Sequence, residues 1–170
     1  MRASRADWLR AGLGLLRRDG EAALTVERLC AELGLSKGSF YHHFHGLDDF
    51  SGALLSTWSE AQTEWPLAQA ARADGVDAQL RLLGETVRGL DHALDVAVRV
   101  WSLHCPVVRA QVQAVDRRRL SALGGLLRSL GHPEPERRAW RVYAGLLGAQ
   151  LLGEVERWFE AEVATLEWGP

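Results

Sequence analysis

The sequence predicts an all-α protein: a small three-helix head at the N-terminus, residues 1–47, on a larger helical bundle, residues 48–170. Two observations carry that expectation. The chain has no Ile, Val and Thr are sparse, and Leu, Ala, Arg and Glu recur at helical spacing. Breakers at Gly20, Gly34 and Gly46 cut the first fifty residues into short pieces, whereas the pattern after Pro66 is that of longer helices.

The first helix is expected from about Ser4 to Arg18, with Trp8, Leu9, Leu13, Leu15 and Leu16 as its apolar side and Gly20 closing it. Thr25 N-caps a short helix over Val26–Leu33, and Glu27 in its first turn suits the positive end of the helix dipole. Gly34 ends that helix, Ser36 caps the next, and this one closes soon after Phe44. Gly46 turns the chain into a segment from Asp48 to about Trp65. Asp77 opens a helix carrying Leu80, Leu83, Val87 and Leu90, and a shorter one covers about Leu94–Cys105. Pro106 starts another, which runs through Leu130 to the stop Gly131-His132-Pro133. A last long run extends from about Pro135 to Leu166.

Composition narrows the function classes. A hydrophobic fraction of 47% with 25% charged residues fits an ordinary globular protein, and no stretch approaches the roughly 20 apolar residues of a membrane span. The N-terminal residues lack the apolar core of a signal peptide, and the two cysteines, Cys30 and Cys105, have no Cys-x-x-Cys spacing. A cytoplasmic protein with reduced thiols and no membrane association is expected. Net charge is −2, and residues 1–50 set seven Lys/Arg against seven Asp/Glu. Bulk charge therefore does not argue for nucleic acid, although phosphates respond to charges within about one Debye length, roughly 10 Å.

The informative segment is Leu24–Phe44. A helix-turn-helix needs a small residue where its two short helices cross and usually Gly in the turn; Cys30 and Gly34, four apart, meet both needs. Leu29, Leu33, Leu35 and Phe40 supply the apolar wedge. The second helix then presents Lys37, Gly38, Ser39, Tyr41, His42 and His43 outward, small or hydrogen-bonding groups suited to a helix N-terminus in the major groove.

The run Thr25–Phe44, with Tyr41-His42-His43-Phe44 ending the recognition helix and Asp48-Asp49-Phe50 following, resembles the DNA-binding head of the TetR family of transcriptional regulators. The resemblance is close over about residues 6–55, and beyond them lies only in helix length, order and composition. It implies phosphate contacts from Lys37, Tyr41 and His43, and base-edge contacts from Gly38, Ser39 and His42. Thr25 would face the DNA backbone through its N-cap, Arg28 would add a contact, and Ser36 belongs to the same surface. In two places the chain departs from the family pattern: Leu47 stands where a Lys commonly holds a phosphate, and Cys30 where Ala is usual. Buried Cys behaves as a small apolar group.

Two other motifs overlap these residues. Gly34-Leu35-Ser36-Lys37-Gly38 matches the nucleophile-elbow string G-x-S-x-G, but that elbow needs a strand turning into a helix, and none is expected here. His42 and His45 have metal-ligand spacing with a poor supply of further ligands, and no Glu-x-x-His pair occurs for a di-iron bundle. No metal, no cofactor and no enzymatic activity are therefore expected.

In the bundle, Trp58, Trp65, Trp101 and Trp140, with His104, Cys105, Tyr143 and Gln150, are candidates to line a small-molecule pocket, although aromatics at helical spacing are more often plain core. Ala144, Gly145, Gly148, Ala149 and Leu152 are candidates for close helix approach in a homodimer, with the alternative that they pack within one chain. By the resemblance, the protein would be a homodimeric repressor on a palindromic double-stranded operator, released by a small apolar or amphipathic effector. The rivals are a protein–protein adaptor that keeps the head without binding DNA, and a helical enzyme using Ser36.

Overall fold

A computed structural model describes residues 3–165, with side chains through residue 162, as ten α-helices and no strand among the described residues. They are α1 (Arg5–Asp19), α2 (Val26–Leu33), α3 (Lys37–Tyr41), α4 (Leu47–Ser59), α5 (Trp65–Ala70), α6 (Val76–Arg88), α7 (His92–His104), α8 (Pro106–Ser129), α9 (Pro135–Leu152) and α10 (Val155–Thr165). The chain divides into two compact units. One holds the residues up to Glu60 and Ala93–Val112; the other holds Ala61–His92 and the residues from Gln113 onward. None of the helices is long and apolar enough to cross a membrane.

In the first unit, a capping box starts α1: Ser4 Oγ accepts from the Asp7 amide at 3.2 Å, and Asp7 Oδ2 accepts from the Ser4 amide at 2.7 Å. A 3-10 turn, Glu21–Ala23, leads to α2. Trp8, Leu15, Leu16, Leu29, Phe40, Phe44, Phe50 and Leu54 are all buried. Close approach of α1 and α4 requires Gly12, since a Cβ there would lie 2.5 Å from Phe50 Cζ and 3.0 Å from Leu54 Cδ1. Trp58, buried in α4, donates its indole N–H to Asp95 of α7 at 3.2 Å, and Arg99 pairs with the same carboxylate at 3.4 Å. A buried carboxylate without such partners would be strongly destabilising.

In the second unit, α5 packs on α6, α9 on α10, and α6 on α10. Leu80, Leu127 and Ala139 form a buried cluster, with Leu123, Leu126 and Leu130 against it. A polar network centres on Arg119: Nε donates to Thr63 Oγ1 at 2.9 Å, Nη1 to the Tyr143 hydroxyl at 3.2 Å and Nη2 to the Gln62 carbonyl at 3.1 Å. The Tyr143 hydroxyl in turn donates to Asp116 Oδ1 at 2.6 Å.

Three boundaries differ from the sequence expectation. The helix that begins at Leu47 does not stop near Trp65: a π-helical turn, Glu60–Glu64, carries it into α5, with Pro66 in the first turn. Proline has no N–H to give, and the π-helical turn just before it is where the helix departs from regular i→i−4 bonding. The recognition helix is shorter than expected, ending at Tyr41. The last long run is two helices, because Gly153 adopts a left-handed conformation (φ 72°, ψ 20°) that closes α9. The expected end at Leu166 lies outside the described residues.

Gly12→Ala tests the α1–α4 approach. It should destabilise the protein by about 1–3 kcal/mol, read by urea unfolding, because the ring opposite is rigid and itself fully packed.

Candidate nucleic-acid interface

The helix-turn-helix is built by local chemistry at each end of two short helices. Thr25 is extended (φ −117°, ψ 153°), and its hydroxyl accepts from the Arg28 amide at 3.2 Å. Gly34 closes α2 in the left-handed region at φ 65°, which a residue with a Cβ adopts only at a cost. Two residues on, Ser36 caps α3, its hydroxyl accepting from the Ser39 amide at 3.4 Å. Ser36 is thus a helix cap in a turn between helices, not a nucleophile at a strand–helix elbow.

With five residues, α3 is too short to hold itself. Phe40 anchors it. Its ring lies 5.5 Å from Trp8, edge-on, 5.3 Å from Phe44 and 5.7 Å from Phe50. Phe44 and Phe50 meet edge-on at 5.0 Å, and Arg5 covers the Phe44 ring at 4.5 Å. Cys30 is buried on α2, as a small apolar residue at the crossing should be, and burial pushes its thiol pKa up.

With Phe40 inward, the other side chains of α3 turn outward. Lys37, Gly38, Tyr41 and His42 are exposed, as are Ser36 and Arg28; Thr25, Ser39 and His43 are half-buried. Tyr41 is 57% exposed although it is a large aromatic. His43 is tied back into the protein: its Nε2 lies 3.0 Å from the Ala3 carbonyl, so Nε2 carries the proton and donates. Leu47, 37% exposed, begins α4 and brings no charge to this surface.

Three cations of the head have carboxylate neighbours. Arg18 makes a two-pronged pair with Glu32 (3.2 and 3.0 Å), Arg28 meets Asp19 at 2.6 Å, and Lys37 pairs with Glu27. The Lys37 ammonium holds the Glu27 carboxyl below the usual range, and Glu27 raises Lys37 in return. The Lys37–Glu27 pair was not legible in the sequence, where ten residues separate the partners and Glu27 read only as a first-turn acid.

The candidate pocket residues fall four to each unit. Trp58, Trp101, His104 and Cys105 belong to the first; Trp65, Trp140, Tyr143 and Gln150 belong to the second, so neither unit by itself gathers them. Trp58 and Tyr143 are buried in the polar contacts described above, while Trp65 and Trp140 are 50% and 63% exposed. Gln150 Nε2 meets His92 Nδ1 at 2.9 Å, and its Oε1 is a buried atom without a hydrogen-bond partner. Of the candidate dimer residues, Gly145 faces its own chain: a Cβ there would lie 2.6 Å from Trp158 Nε1. Ala149 is buried, Ala144 and Gly148 are half-buried, and Leu152 is 78% exposed. Among the described residues no group of three His, Cys, Asp or Glu gathers as a metal site.

The sequence model of the bacterial regulatory proteins, tetR family, matches residues 9–50, which span α1 to the start of α4. The match lies within the N-terminal head and the first residues of α4, and the rest of the chain falls outside it. The matched model describes bacterial regulatory proteins. Solved structures extend the likeness to the whole fold. A transcriptional regulator of the TetR/AcrR family superposes with a TM-score of 0.83 at 21% identity, covering 96% of this chain and 98% of that one. A regulator from Saccharomonospora viridis, solved in complex with choline, gives 0.81 at 17% identity, over 96% and 95% of the two chains. The reduced form of NemR from E. coli gives 0.79 at 20% identity, also over 96% and 95%. Comparison with curated protein sequences finds no match.

Within this head, the caps define the helix-turn-helix. Ser36→Ala and Thr25→Ala should each lower unfolding free energy by about 1 kcal/mol in urea titrations, by leaving a first-turn amide without its side-chain acceptor.

Proposed function

We propose that the chain is a DNA-binding transcriptional repressor that works as a homodimer and releases its operator when a small apolar or amphipathic effector binds. The observation that carries the DNA reading is the outward set Lys37, Gly38, Tyr41 and His42 on a helix pinned from behind by Phe40, beside the capped first turn of α2. In the docked complex, α3 enters the major groove. Lys37, Tyr41 and His43 hold phosphates, Gly38, Ser39 and His42 lie on base edges, and Thr25, Arg28 and Ser36 meet the flanking backbone. The functional division falls at residue 47, with residues 1–47 reading DNA and residues 48–170 sensing and dimerising.

A second copy would carry the second head to the next major groove, about one helical turn away. The exposed apolar side chains of α9 support this assembly: Trp140, Leu151 and Leu152 are 63%, 68% and 78% exposed. Their burial against a two-fold mate would sit beside Gly148, where a Cβ meets nothing within 4 Å. The effector step rests on the fold shared with a regulator solved with choline and on the partnerless Oε1 of Gln150 in the second unit. An effector that prefers one dimer state shifts the population away from the DNA-competent spacing.

The adaptor reading is favoured by the balanced, paired charges of the head and by Leu47, which brings no charge to this surface. Binding to duplex fragments from upstream of the protein's own gene, repeated over a salt series, separates the two. A regulator gives sequence-selective binding that weakens steeply with salt; an adaptor gives none. Alanine at Lys37 or Tyr41 should weaken every sequence similarly, whereas alanine at Ser39 or His42 should change the ranking of sequences. The paired change Leu151→Glu with Leu152→Glu should halve the mass seen by sedimentation; an unchanged mass would place the dimer contact elsewhere.

A further inference from the structure

Lys37 is the chain's single lysine, and it stands in the first turn of α3, where a groove-entering helix meets phosphate. Its ammonium is already engaged by Glu27, from the first turn of α2. The contact itself puts both first turns on one face of the head, and both side chains are largely solvent-exposed, at 60% and 65%. A carboxylate on that face does two things when DNA arrives. It competes with the phosphate for the one ammonium of α3, and it repels every phosphate within a Debye length.

We propose that Glu27 is a built-in counter-ion that limits sequence-independent DNA affinity, so that Lys37 reaches a phosphate only by leaving Glu27. The inference rests on the DNA-binding reading above and names a restraining residue within that surface. Neighbouring pairs follow the same plan: Arg28 is held by Asp19, and Arg18 by Glu32. Glu27 differs from those acids because its partner lies on the recognition helix itself. The arrangement explains how a head with no basic excess can still read DNA. Backbone attraction is kept low, and binding energy comes from a fit that brings enough contacts to open the pairs.

The test is Glu27→Gln, which keeps the size and hydrogen-bonding capacity of the side chain and removes its charge. Binding is measured to a random-sequence duplex and to the best-binding upstream fragment, each across a salt series, with wild type alongside. Glu27→Gln should tighten binding to the random duplex by about threefold to tenfold at low salt, and steepen the log–log salt slope by about 0.9, the increment of one more phosphate neutralised. In a Lys37→Ala background, the same change should give a smaller gain, because the competition for the ammonium is gone. Unchanged circular dichroism and unfolding midpoint would show that the variant folds. If wild type binds DNA with a salt dependence while Glu27→Gln binds equally or more weakly, Glu27 positions Lys37 instead, and the inference is overturned with the DNA reading intact. If neither protein binds any duplex at low salt, both fail together.

Discussion

Everything that α3 offers to solvent depends on where Phe40 sits. A helix of five residues has almost no stability of its own, so its orientation is that of the one side chain it buries. Phe40 is held among Trp8 from α1, Phe44 just beyond α3 and Phe50 from α4. That nest closes only because α1 carries Gly12 where the Phe50 ring arrives. The chain of dependence runs from a missing Cβ, through four rings, to the facing of Lys37, Tyr41 and His42. The edge-on Trp8–Phe40 and Phe44–Phe50 pairs add directional preference to burial, which suits a site whose output is an orientation.

Among the described residues, several cations of the first unit lie against that unit's own carboxylates. Arg18, Arg28 and Lys37 meet Glu32, Asp19 and Glu27, and Arg5 lies 3.9 Å from Asp49. Such exposed pairs contribute little to stability. Their significance is at the surface, where they set how strongly a polyanion is attracted before any fit is achieved. In the second unit the polar contacts serve another purpose. Arg119 satisfies the Gln62 carbonyl inside the π-helical turn, together with Thr63 and Tyr143, so a local irregularity of the helix is matched by a fixed set of donors.

The fold class and the helix-turn-helix were legible in the sequence because their determinants are local. Thr25 and Ser36 cap, Gly34 turns left-handed, Cys30 is small, and Phe40 is the apolar residue that a short helix needs. The continuation through Pro66 was not legible, since a proline reads as a stop unless the turn before it is known to widen. Nor was the division of the last run, because Gly145, Gly148 and Gly153 all fall within it and nothing local marks the last as the one with positive φ. Tryptophan content says that large side chains must be housed, but their placement follows from long-range packing, and here they divide between two units.

The central claim is that the first turns of α2 and α3 are the surface that meets DNA. Amide hydrogen exchange across residues 25–44, with and without an upstream duplex that the protein binds, tests it most directly. The account predicts that added protection is greatest in the segments starting at Val26 and Lys37. Protection confined to other helices, with those two segments unchanged while DNA is bound, would contradict it.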